Sequence, residues 1–133
     1  MRSRILLLYQ ILTSLSDTST GILLLAAPAL TLRLMRLHPD PATLPYISYI
    51  GAFVFSVGLA CLYGATVIDR PSKLEAVWLL TAITRASVAI FVAVKVATGI
   101  LEPGWINVAL SDGTLALIQA VGLLKGWPGD SRG

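Results

Sequence analysis

The feature that most constrains this chain is the spacing of its charges. They gather at Arg2–Arg4, Arg33–Asp40, Asp69–Glu75 and Lys125–Arg132, leaving apolar runs of roughly 20 residues between them. A helix rises about 1.5 Å per residue, so such runs match a hydrocarbon core about 30 Å thick. No water inside a bilayer can satisfy a bare peptide group, so these runs are expected to be helices. The expected fold class is all-α. The chain reads as a polytopic integral membrane protein, a four-transmembrane-helix bundle with short loops, in a single membrane domain over 1–133.

Composition agrees. Of 133 residues, 56% are apolar and 13% are charged, about half the charge of an ordinary soluble domain. The net charge is +3. Its basic residues flank apolar runs and form no stripe with interleaved aromatics, so nucleic acid is not an expected partner. Positive flanks instead suit orientation and anionic headgroups.

Span one is expected over 5–30, extendable to Met35, and is polar in its middle from Thr13 to Thr20. Met1-Arg-Ser-Arg before Ile5–Leu8 opens like a signal peptide, but that polar interruption leaves no unbroken apolar core, so a retained span is expected. Pro28 falls near its outer end, where a span tolerates proline. Pro39, Pro41 and Pro45 then break the chain. Span two is expected over 45–67, with Tyr46 and Tyr49 at one interface and Tyr63 near the other. Gly51, Ser56 and Gly58 supply small residues for close helix packing. Span three is expected over 74–100, capped by Asp69 or Ser72, and span four over 105–124 between Trp105 and Trp127.

Lys and Arg in the short flanks set the orientation. Arg2, Arg4, Arg70, Lys73, Lys125 and Arg132 lie on one side, against Arg33 and Arg36 on the other. Six against two places both termini in the cytoplasm, with a bacterial inner (plasma) membrane as the expected location.

The informative residues are charges inside the apolar runs. Asp17 is 12 residues past Ile5, Arg85 is 11 past Leu74, and Asp112 is 13 before Lys125. At helical rise, all three sit roughly 17–20 Å above the same side. Ions at that depth cost about 2.5–3.5 kcal/mol each on insertion scales, so they face inward and pair. An intramembrane charge cluster of Asp17, Arg85 and Asp112 is therefore expected, with the planar fork of Arg85 serving both carboxylates. It reads as a bundle clamp or as a relay or polar ligand site. Gln10, Thr13, Thr84 and Gln119 are the candidate polar lining. Lys95, further out, is expected to snorkel, with Glu102 or Asp112 as its alternative partner.

Catalysis has no support. No GxSxG, HExxH, Walker loop or GxGxxG is present, and the lone histidine, His38, sits among prolines. The single cysteine, Cys61, excludes an intrachain thiol–disulfide pair, and one histidine is too few for a bis-histidine haem. No cofactor and no metal are expected, and no motif names a family. Three functions fit. The first is a non-enzymatic accessory or structural subunit of a larger membrane complex or homo-oligomer. The second is a small proton-coupled or ion/small-molecule transporter using Asp17, Arg85 and Asp112. The third is a lipid- or pigment-binding membrane protein. The expected partners are the lipid bilayer and other membrane subunits or further copies of the chain.

Overall fold

The computed structural model describes residues 1–129 and contains only helices among them. Five α-helices follow in order: α1 Arg2–Ala26, α2 Pro28–Leu34, α3 Leu44–Thr66, α4 Pro71–Ala97 and α5 Ile106–Leu124. A short 3-10 turn, Pro103–Trp105, leads into α5. Arg132, counted above in the orientation argument, lies outside the described residues.

Three helical segments are long and apolar enough to cross a membrane: Leu44–Thr66, Pro71–Ala97 and Pro103–Leu124. At 25 residues α1 is equally long. It is not apolar enough to count with them, because polar residues occupy its middle from Thr13 to Thr20. The expected first span also ends early. Pro28 disfavours the helical region for the residue before it, and Ala27 lies outside that region at φ −142°. The chain restarts as α2 with Pro28 in its first turn, where a missing N–H costs nothing. Neither Asp69 nor Ser72 caps α4: Arg70 holds the cap position without a side-chain bond, and Pro71 opens the helix. At the far end Gly99, at φ +74°, turns the chain, and Ile100 N–H donates to the Lys95 carbonyl.

The helices pair as two hairpins, α1 against α3 and α4 against α5, with only thin backbone contact between α3 and α4. Glycine makes the first pairing close. A Cβ on Gly58 would stand 2.6 Å from the Thr18 backbone nitrogen, and one on Gly21 would stand 2.5 Å from the Phe55 nitrogen. The two helices therefore touch backbone to backbone at two levels. Gly51 packs on Leu24 and Leu25 of the same interface. Ser56 corrects the expectation that it shares this face. It is exposed and donates to the Ala52 carbonyl at 2.8 Å. Two residues separate it from Gly58, a rotation of about 200°, which puts it on the opposite side of α3.

Most of the large apolar side chains point outward, including Leu15, Leu80, Ile90, Leu110 and Leu117. The buried apolar residues form two separate clusters. One is Leu6, Leu74 and Trp78, near the N-terminus and the α3–α4 turn. The other, at the opposite end, is Leu24, Leu32, Leu37 and Ile47. The level between the clusters is where the ionic residues lie.

Candidate functional site

No α1 backbone comes close to α4 or α5, so long side chains bridge the two hairpins. Arg85 makes the central bridge. Its Nη1 donates to Asp112 Oδ1 on α5 at 2.9 Å, and its Nη2 donates to Asp17 Oδ2 on α1. The same Nη2 approaches Cys61 Sγ on α3 at 3.8 Å. Four helices thus meet at one guanidinium, whose side chain is 3% exposed. Asp17 and Asp112 are 16% and 23% exposed, each turned partly toward open space. An ammonium is a point charge, whereas the rigid guanidinium fork reaches two carboxylates on different helices at fixed geometry.

Above this ionic level the hairpins diverge around a cavity of about 630 Å³. Its floor is Asp17, Arg85 and Asp112. One wall is apolar side chains of α3, including Ile50, Val54 and Val57, and the facing wall is Val88, Phe91 and Val92 of α4. Leu101 and Trp105 reach in from the α4–α5 connection. Ser16, Thr20, Thr84, Ser87 and Ser111 add hydroxyls near the floor. Three of these, Thr84, Ser87 and Ser111, already donate to carbonyls of their own helices, so they leave acceptor oxygens for a visitor.

A latch joins the two loops at the end of the bundle away from the N-terminus. Glu102 Oε1 accepts from the His38 backbone N–H at 3.1 Å, and Glu102 Oε2 lies 2.7 Å from His38 Nδ1, which donates to it. These two bonds hold the Glu102 carboxyl below the usual glutamate range. Leu37 packs where a side chain on Gly104 would sit, so the α2–α3 loop rests directly on the 3-10 turn. With Glu102 taken by His38 and Asp112 by Arg85, Lys95 instead places its ammonium 5.7 Å from the Phe91 ring centre.

The remaining candidate lining residues divide between the two ends. Thr84 lines the cavity, whereas Gln10, Thr13 and Gln119 lie below it in the closed half. Gln10 is fully buried. Its Nε2 donates to the Cys61 carbonyl and its Oε1 accepts from Trp78 Nε1, both at 3.0 Å. Gln10–Trp78 is thus a second bridge between hairpins. Thr13 donates to the Tyr9 carbonyl at 2.8 Å, and Gln119 Nε2 donates to Thr81 Oγ1 at 2.7 Å. Gln10 and Thr13 are thus engaged by neighbouring helices and carbonyls, whereas Gln119 keeps its Oε1 buried without a partner among the described residues.

Of the cavity's own hydroxyls, sequence reasoning did not single out Ser16, Ser87 and Ser111, and it read Thr20 only as part of the polar stripe that holds Asp17. Their signal was proximity: Ser16 and Ser111 each precede an aspartate of the ionic cluster, and Thr20 follows Asp17 at helical spacing. Among the described residues no group of three or more metal-ligating side chains converges. Comparison of the chain with protein families, curated proteins and solved structures found no match.

Proposed function

We propose that the protein is an integral membrane protein whose four long helices all lie in the bilayer, and that it binds a small apolar-bodied molecule in the cavity between its hairpins. It is not an enzyme on this reading but a small-molecule binder or carrier. The observation that carries the proposal is the cavity itself: apolar walls over a floor of three ionic groups. Ligand sites have this construction, mostly apolar with a few convergent polar groups. A purely structural clamp needs no such space above it.

Membrane insertion of α1 is supported by how its polar residues are used. Gln10, Thr13 and Asp17 all have partners within the protein, and Leu8, Leu12, Leu15 and Ile22 are exposed on its outer side. The excess of Arg and Lys beside the N-terminus and the α3–α4 turn supports cytoplasmic termini in a bacterial inner membrane. The reading as an accessory subunit or homo-oligomer draws on exposed apolar faces such as Leu80 and Leu117. Lipid covers those faces equally well, so the cavity gives ligand binding the stronger support.

Filling the cavity tests the proposal. Val54→Phe with Val88→Phe narrows it from both walls while leaving the ionic floor in place. Binding of 4-phenylbutanol, followed by isothermal titration in an uncharged detergent, should be lost in the filled variant and present in the wild type. Equal heats from both proteins would overturn the reading.

A further inference from the structure

The floor of the cavity carries more negative charge than its one cation can balance. Asp17 and Asp112 contribute two carboxylates and Arg85 one guanidinium, so the fully ionised trio holds a net charge of −1. Only one oxygen of each carboxylate is used. Asp17 Oδ1 and Asp112 Oδ2 accept no hydrogen bond among the described residues. On the cationic side little is left to offer: each terminal nitrogen already gives one N–H to a carboxylate, Nη2 also turns toward Cys61 Sγ, Nε is buried without a partner, and the side chain is 3% exposed.

An anionic headgroup would therefore meet two carboxylates and a buried guanidinium already shared between them. A neutral ligand would leave the excess charge uncompensated in a low-dielectric site, which is costly. A metal ion would find two carboxylate oxygens beside a fixed positive charge, with no third ligand of the usual kind. A proton could balance the floor, yet it has no use for walls built from Val54, Val88 and Phe91.

We infer that the ligand is a monovalent organic cation with N–H donors and an apolar body, a protonated primary or secondary amine. Its ammonium donates to Asp17 Oδ1 and Asp112 Oδ2, and its hydrocarbon part fills the space between α3 and α4. This inference rests on the cavity being a binding site, and it adds the charge of what binds there. At about 630 Å³ the space holds a molecule the size of a phenylalkyl amine with room to spare.

Three probes sharing one body separate the two claims. The purified full chain, in an uncharged detergent at pH 7, is titrated with 4-phenylbutylammonium, 4-phenylbutanol and 4-phenylbutyrate. The ammonium should bind at least tenfold more tightly than the alcohol, with the carboxylate weakest. Asp112→Asn leaves the Asp17–Arg85 pair in place and makes the floor neutral, so it should remove the ammonium's advantage over the alcohol. Equal affinity for all three probes, or preference for the carboxylate, would overturn the charge assignment and leave the cavity reading standing. Absence of binding by any probe to the wild type would overturn both. The wild-type series decides the matter even if Asp112→Asn does not fold.

Discussion

Replacing Arg85 with Met removes the one group that ties both hairpins together at mid-depth. Each of its two bonds to a carboxylate is charge-assisted, and such bonds contribute about 1.5–3 kcal/mol each. Breaking a buried ion pair by deleting one partner costs about 3–5 kcal/mol, because the surviving charge is stranded. Here Asp17 and Asp112 keep 16% and 23% exposure, which softens the penalty through screening. The expected loss is therefore near the lower bound, about 3 kcal/mol. For a chain of this size that corresponds to a fall in Tm of roughly 10 °C. Tryptophan fluorescence melting in detergent reads it, since Trp78 is buried at the closed end and Trp105 packs at the other. The triple change Asp17→Asn, Arg85→Met and Asp112→Asn removes the stranded charges and should recover more than half of the loss. An Arg85→Met melt within about 2 °C of wild type, or a triple variant no better than the single, would refute the view that these charges balance one another in a buried site.

Gly58→Leu should destabilise the α1–α3 pairing by about 1–3 kcal/mol, because its Cβ meets the Thr18 backbone and not merely a flexible side-chain tip. Thermal melting measures this, and Ser56→Leu, on the outward face, is the neutral control. Gln10→Leu leaves the Trp78 indole N–H without an acceptor and should cost about 1–3 kcal/mol. The companion Gln10→Leu with Trp78→Phe should be milder than Gln10→Leu alone, by the same melt. The His38–Glu102 latch should loosen in acid. Glu102 is held below its ordinary range when folded, so its contribution is full above the ordinary glutamate value and disappears as pH falls through the folded one. Trp105 emission followed from pH 7 to pH 3 should shift in the wild type and remain flat in Glu102→Gln, whose latch is already neutral.

Some of this architecture is countable from residue positions alone. Asp17, Arg85 and Asp112 share a level because helical rise is fixed and because charges within apolar runs have few places to go. The ends of α3 and α5 likewise follow prolines and charged turns, which mark helix limits wherever they occur. The division of α1 from α2 was available in principle, since Ala27 precedes a proline. Reading Pro28 as tolerated near the end of a continuous span ignored that restriction. Ser56 was misassigned for a comparable reason: a spacing of seven keeps Tyr49, Ser56 and Tyr63 on one face and Gly51 and Gly58 on another, and small size alone does not say which face meets α1.

The cavity was not countable, and the cause is physical. In water, an apolar residue that is not in the core stands out; against lipid it does not, because hydrocarbon chains resemble leucine and valine side chains. Val54 and Val88 therefore carry the same pattern whether they face acyl chains, another helix or an internal space. Only polar residues discriminate, and they do so by what they bond. Gln10 and Gln119, the long amides, span inter-helix gaps and mark where helices are joined. Hydroxyls do not, since Thr13 and Thr81 in the closed half and Ser87 and Ser111 beside the cavity all bond carbonyls of their own helices. Long amides that reach across in one half of a bundle and are missing from the next level are thus a sign that the helices are joined in the first and free to diverge in the second. In this chain the change occurs within a few residues of Arg85, so the guanidinium sits where the closed half ends and the cavity begins.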